Sequence, residues 1–226
     1  MIEYKVLSRK YRPKKLKEVI GQDFTVRTLS NAFAKEKLAH AFLFTGIRGV
    51  GKTTIARIIA MGLNCETENK PIANPCGICS NCKAILQDRY EDVLEIDAAS
   101  NTGVDDVREI ISSLKYRPSK GSYKVFIIDE VHMLSNSAFN ALLKTIEEPP
   151  SFVKFIFCTT EMQKIPITIV SRCQKYNLNR VTLTALCDYL EEIAELEKLD
   201  ISKEAIAVIA RNSEGSIRDS LTMLDQ

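Results

Sequence analysis

A chain of 226 residues, 45% hydrophobic and 27% charged, holds enough apolar material for one large domain and a small one. No apolar run approaches the ~20 residues that cross a bilayer, and the start MIEYKVLSRKYRPKKL has no apolar signal core, so a cytoplasmic protein is expected rather than a membrane or exported one. The net charge of +2 excludes a globally basic polyanion binder, although seven of the first 17 residues are Lys or Arg against one Glu. That arm reads equally well as a solvated surface and as a nucleotide or nucleic-acid contact.

The first strong pattern is HAFLFTG over 40–46, which predicts a buried strand, followed by KTTIARIIAMGLN from Lys52, which predicts a helix with Ile55, Ile58 and Ile59 on one face. Between them, Gly46 to Thr53 reads GIRGVGKT and fits G-x-x-x-x-G-K-[ST], with the strand before and the helix after that this loop requires. The glycines let backbone N–H groups turn inward around phosphate oxygens, and the helix N-terminus adds partial positive charge. Lys52 is expected to reach the terminal phosphates and the Thr53 hydroxyl to hold Mg²⁺. Gly46, Gly49, Val50, Gly51 and Thr54 are expected to complete the nucleotide contacts.

The chain has seven cysteines, an odd number, and no export signal, so disulfides are not expected. Cys158, Cys173 and Cys187 read as small packed side chains. Cys65, Cys76, Cys79 and Cys82 have the spacing C-x10-C-x2-C-x2-C. Two overlapping C-x2-C turns and a fourth thiolate make a closed tetrahedral shell for Zn²⁺, structural because it leaves no position for water. It would staple an insertion, about 64–88, too poor in apolar residues to build its own core.

Farther along, DVLEIDAAS over 92–100 predicts a second strand, VDDVREIISSL from Val104 a helix, and YKVFIIDE over 123–130 a third strand. Asp129 and Glu130 end that strand after four apolar residues. Asp129 is placed to bind Mg²⁺ through water, and Glu130 to activate the attacking water. His132 and Met133 are expected to pack or cap. NSAFNALLKTIEE predicts a helix that stops before Pro149 and Pro150, VKFIFCTT over 153–160 a fourth strand, and CQKYNL from Cys173 a fifth. Strands alternating with helices indicate a parallel sheet covered on both faces, an α/β fold. From about Val181 three amphipathic helices follow with no strand between them, so a first domain over 1–180 and a small helical one over 181–226 are expected. The last helix reaches Gln226 without a capping signal, and the chain is expected to continue. A guanine site would show Asn-Lys-x-Asp; the near match NKPI at 69–72 lacks the Asp, which favours ATP.

These residues, with EIDAAS, DEVHMLS, FNALLKTIEEPP, CTTEMQKIP, SRC and GSIRD in order, resemble the gamma/tau subunits of bacterial DNA polymerase III, the ATPases of the sliding-clamp loader. The resemblance runs from SRKYRP to SIRDSLTMLDQ. It implies an AAA+ P-loop fold: a five-stranded parallel sheet with a zinc-knuckle insertion, then a three-helix lid before a collar domain. It implies that Thr160, with Thr159 beside it, is the sensor that orients the attacking water, and that Arg172 is an arginine finger acting on a neighbouring subunit's ATP. It implies that Arg218 in the lid is a second sensor, and that Tyr11, Arg12, Pro13, Val19 and Ile20 form the adenine-side arm. The implied cofactors are ATP, Mg²⁺ and Zn²⁺. The implied partners are the other subunits of a hetero-pentamer, the sliding clamp, primed DNA and the polymerase core. A P-loop kinase, an ATP-silent subunit of the same machine and another AAA+ DNA motor are the competing readings.

Overall fold

The computed structural model describes residues 6–100, 107, 111–114 and 116–226. Its centre is a five-stranded, all-parallel sheet of order β2-β3-β4-β1-β5. The strands are β1 (Ala41–Thr45), β2 (Val93–Asp97), β3 (Lys124–Asp129), β4 (Val153–Thr159) and β5 (Gln174–Asn177). The described helices are α1 (Leu7–Lys10), α2 (Asp23–Ala34), α3 (Lys52–Asn64), α4 (Ser80–Leu86), α5 (Asn136–Glu147), α6 (Ile167–Val170), α7 (Leu183–Glu197), α8 (Lys203–Asn212) and α9 (Ile217–Leu224). Most of the helix expected from Val104 lies outside the described residues; Val107 and residues 111–113 are helical.

β1, β3 and β4 read as continuous apolar runs because both of their faces are covered. Alternate residues nonetheless go to opposite sides. Phe42, Phe44, Val125, Ile127 and Ile156 join a core with α3. Leu43, Phe126, Ile128, Phe155 and Phe157 join a second core with α5. Phe42 and Phe44 are fully buried, and truncating either to Ala would cost about 3–5 kcal/mol. β5 is a short edge strand in which only Tyr176 is buried.

α7, α8 and α9 pack around Leu186, Leu190, Ile206 and Leu221 in a third cluster. Each begins on a hydroxyl cap: Thr182, Ser202 and Ser216 accept the N–H groups of Ala185, Ala205 and Asp219. Leu7 of α1 belongs to this cluster as well, so the start of the chain packs on the helices at its far end. Lys10 pairs with Glu197 there at 2.5 Å.

Candidate active site

The loop between β1 and α3 leaves the sheet where β1, β4 and β3 end side by side. Gly49 and Gly51 have φ of 75° and 108°, a left-handed backbone that glycine adopts without a Cβ penalty. A Cβ on Gly46 would stand 2.7 Å from the Leu178 carbonyl, so the loop is also pressed against the chain leaving β5. Val50 is fully buried beneath the loop. Lys52 is buried, and its Nζ donates to the Gly46 and Ile47 carbonyls at 2.9 Å each. Burial lowers its pKa, against the opposing carboxylates of Glu130 and Asp129. Thr54 is half-buried in the first turn of α3.

The Thr53 hydroxyl donates to Asp129 Oδ2 at 3.0 Å, joining the loop to the end of β3. A hydroxyl and a carboxylate oxygen in that relation are the hard-oxygen donors that suit Mg²⁺. The other Asp129 oxygen accepts the Glu130 N–H at 3.0 Å. Glu130 has φ 45° and ψ 44°, a left-handed conformation uncommon for a non-glycine residue, imposed where β3 turns into the 3₁₀ turn Val131–Met133. Its Oε2 accepts from the Thr160 hydroxyl at 3.0 Å and the Thr160 N–H at 3.2 Å. Thr160 is therefore the threonine of the pair that meets the carboxylate, whereas Thr159 is fully buried. Met133, expected to pack or cap, is instead 46% exposed. His132 lies against Glu130, Thr159 and Glu161, and sequence reasoning missed this placement.

The remaining candidates approach from outside the sheet. The Arg218 N–H donates to the Gly49 carbonyl at 3.2 Å, which sets the start of α9 on the phosphate loop. Arg12 is half-buried, and burial followed by the nearby Arg57 guanidinium lowers its pKa, with Arg218 acting in the same direction. Arg12 thus has Arg57 and Arg218 as cationic neighbours, a local positive charge suited to a polyphosphate. Arg57 is itself held by Glu95 at 2.6 and 2.9 Å and by Asp88 at 2.9 Å, a network the local sequence did not reveal. The Tyr11 hydroxyl donates to Glu197 of α7, and Pro13 is half-buried. Val19 packs in the α3-side core while Ile20 packs against the third cluster, so the two bridge the sheet and the C-terminal helices.

Arg172 is not brought to this site. β5 runs parallel to β1 with Gln174 beside Phe42, so Arg172 lies at the end of the sheet where the strands begin. One strand length, about 17 Å for five residues, separates that end from the phosphate loop. The guanidinium is held by Glu147 at 2.5 Å and the Thr168 carbonyl at 2.6 Å.

The four clustered cysteines come together as the spacing predicts: their Sγ atoms all lie within 4.8 Å of one another. Ideal Zn–S bonds of about 2.3 Å imply sulfurs near 3.8 Å apart, so a small inward movement closes a four-thiolate shell. Burial pushes the Cys82 thiol upward; at Cys76 it is outweighed by the Ile78 and Cys79 N–H groups, which draw that thiol down to about 6. The site is rooted by two buried asparagines. The Asn64 carbonyl accepts from Asn81 Nδ2 at 2.9 Å, and Asn64 Oδ1 accepts the Tyr123 N–H at 2.9 Å, just before β3. Cys158 and Cys173 are buried and Cys187 is half-buried, as small packing side chains.

Comparison with known proteins agrees with this architecture. Residues 21–182 match the family model described as DNA polymerase III, delta subunit, and residues 185–226 match the one described as DNA polymerase III clamp loader subunit, ATPase lid domain. The chain is 48% identical over 225 residues to DNA polymerase III subunit tau of Escherichia coli, covering 100% of this chain and 35% of that protein. It is 47% identical to subunit tau of Bacillus subtilis, covering 100% of this chain and 40% of that protein. The chain thus spans little more than a third of the length of these relatives. Among solved structures, the RuvB Holliday junction branch migration motor of Thermotoga maritima superposes with a TM-score of 0.68 at 25% identity, over 95% of this chain and 64% of that one. A gamma subunit-related protein of the same organism superposes with a TM-score of 0.51 at 19% identity, over 86% of this chain and 57% of that one. The fold is AAA+, and with the two family models together spanning residues 21–226 apart from two positions, the chain belongs to the DNA polymerase III clamp-loader subunit family described by those models.

Proposed function

We infer that this chain is the ATPase part of a clamp-loader subunit, using ATP binding and hydrolysis to place a sliding clamp on primed DNA. The observation that carries this reading is the convergence of Lys52, Thr53, Asp129, Glu130 and Thr160 at one end of the sheet, with Thr53 and Asp129 joined at 3.0 Å. Residues 1–180 serve as the ATPase domain, with the zinc insertion at about 64–88, and 181–226 as its lid.

Loop N–H groups between Gly46 and Thr54 and the Lys52 ammonium hold the phosphates. Thr53 and Asp129 would hold Mg²⁺, which supplies charge neutralisation between the β- and γ-phosphates when bound. Glu130 accepts the proton of the attacking water, and Thr160 orients carboxylate and water together. Arg12 and Arg218 add positive charge from the arm and the lid, and Tyr11, Pro13, Val19 and Ile20 border the adenine. Arg218 also reports nucleotide to the lid, since its helix rests on Gly49. Arg172 faces away from this centre and acts on ATP in a neighbouring subunit, where its guanidinium stabilises transition-state charge.

Cys65, Cys76, Cys79 and Cys82 hold one structural Zn²⁺. The partners are the other subunits of a hetero-pentamer, the clamp, primed DNA and the polymerase core, in the cytoplasm; no helix among the described residues is long and apolar enough to cross a membrane. The deciding experiment is phosphate release by the full-length protein assembled with its partner subunits, with and without clamp and primed DNA. Stimulation by both is expected. Phosphate transfer to a small-molecule acceptor instead would overturn the reading.

A further inference from the structure

His132 follows the Asp129–Glu130 pair by two residues, and its side chain is only 6% exposed. Its Nε2 stands 3.3 Å from Glu161 Oε1. Its Nδ1 stands 2.9 Å from Thr159 Oγ1 and 3.3 Å from Glu130 Oε2. Thr159 Oγ1 in turn accepts the Glu161 N–H at 3.0 Å.

Both ring nitrogens face groups that can hold them. Nε2 faces the Glu161 carboxylate, itself held by the Lys164 ammonium at 2.9 Å, and Nδ1 shares a hydrogen bond with the Thr159 hydroxyl, which accepts from the Glu161 N–H. His132, Thr159 and Glu161 thus close a triangle of contacts around the ring. The triangle fixes the ring edge that touches Glu130 Oε2. On the same oxygen Thr160 places two donors. Oε2 is therefore gripped by Thr160 and backed by the imidazole, whereas Glu130 Oε1 makes no hydrogen bond among the described residues.

We propose that His132 is a positioning residue for Glu130: locked by Thr159 and Glu161, its ring stops the carboxylate from turning and leaves Oε1 as the oxygen that meets the attacking water. The proposal rests on the reading of Glu130 as the base of ATP hydrolysis. A general base must lie within hydrogen-bond reach of the proton it takes, and a misplacement of about 1 Å can cost up to about 10²-fold in rate. A ring that fixes the rotamer therefore acts on the chemical step and not on nucleotide affinity.

The test is single-turnover ATP hydrolysis by the full-length protein assembled with its partner subunits, clamp and primed DNA, beside equilibrium binding of ATP to the altered chain. His132→Leu should slow hydrolysis on the order of tenfold or more while ATP affinity stays within about twofold. His132→Gln, whose amide can accept from Thr159 and donate to Glu161, should recover most of the rate. Wild-type hydrolysis in His132→Leu, a parallel loss of affinity, or Gln as slow as Leu would each overturn the proposal. Nitrogen-15 NMR of the wild-type imidazole gives a readout independent of turnover and of whether the Leu variant folds. A ring held in one fixed protonation state supports the locked placement, and rapid averaging between the two tautomers, as in a free imidazole, refutes it. If the wild type binds ATP yet hydrolyses it no faster than Glu130→Gln, the failure lies in the functional reading itself, and the proposal falls with it.

Discussion

The Arg218 N–H donates to the Gly49 carbonyl at 3.2 Å, a backbone hydrogen bond that sets the lid on the phosphate loop. Beside that bond, a Cβ on Gly49 would stand 2.1 Å from Ser216 Oγ, the cap of α9, and Gly49 already holds a φ of 75°. Gly49→Ala should therefore lift the start of α9 off the loop. The left-handed backbone and the clash together should cost about 1–3 kcal/mol, and ATP affinity should fall by isothermal titration. Adding Ser216→Gly removes the nearest atom and should recover part of the loss. Full wild-type affinity in Gly49→Ala alone would show that the lid does not rest on the loop in solution.

Lys52 and Glu130 should separate binding from chemistry. Lys52→Ala removes the buried ammonium beside the loop carbonyls and should weaken ATP binding. Glu130→Gln should bind ATP near normally yet hydrolyse it slowly, because an amide cannot accept the proton of water. Binding titrations and single-turnover rates on both variants check this; equal loss of affinity in the two would remove Glu130 as the base.

Arg172 should work across a subunit boundary. In the isolated chain Arg172→Ala should change a weak hydrolysis rate little. In the assembled loader it should cost on the order of 10²-fold or more, with ATP binding to the altered chain intact. Assemblies mixing Arg172→Ala and Lys52→Ala chains decide the matter: an interface that pairs an intact finger with an intact neighbouring loop should keep its rate. Loss of hydrolysis in the isolated chain would place the residue in cis or in the fold.

Asp92 offers a stability test. It is buried and accepts the N–H groups of Ser119, Lys120 and Gly121 at 2.8, 2.9 and 3.0 Å. Burial alone would raise its pKa, but those three donors outweigh burial and lower it. A carboxylate with a depressed folded pKa stabilises the fold above its unfolded pKa, near 3.9 for Asp, and loses that contribution as pH falls through the lower folded value. Asp92→Asn should cost about 1–3 kcal/mol at pH 7. In urea denaturation the gap between the two proteins should narrow below about pH 4; a gap independent of pH would count against the charged interaction.

The cysteine quartet should bind one zinc per chain, measured by metal analysis of protein purified without chelators. Cys79→Ser should lose the metal and loosen the insertion, with protection from hydrogen exchange falling around Asn81 and Tyr123, while ATP affinity changes little. Metal-free wild-type protein would contradict the assignment.

The parts legible in the sequence were those written locally. β1, β3 and β4 are apolar runs bounded by glycine or acidic residues, the phosphate loop is a spacing, and the thiol cluster is a spacing of four cysteines. What stayed hidden depends on distance along the chain. Thr159 lies 27 residues from His132, and Leu7 donates its N–H to Asp225, 218 residues away, so no periodicity could announce either contact. The same holds for Arg57 and Glu95, which meet across α3 and β2. β5 was the weakest strand to read, because an edge position lets charged and polar residues alternate with a single buried Tyr176. Arg172 illustrates the opposite case: its motif was plain, but only the parallel pairing of β5 with β1 tells which end of the sheet it occupies.

The Asn64–Asn81 bond gives the knuckle a further meaning. Asn64 ends the helix that begins at Lys52, and Asn81 immediately precedes Cys82, so this bond ties the start of the insertion to its last cysteine turn. Between them the segment folds back onto α3, where the Ile72 N–H donates to the Gly62 carbonyl at 2.9 Å, and only its crown at Glu66–Lys70 stands in solvent. With the tail of α3 tied to the start of β3 by Tyr123, the helix whose first turn forms the phosphate loop is braced at its opposite end by the cysteine insertion and the central sheet together.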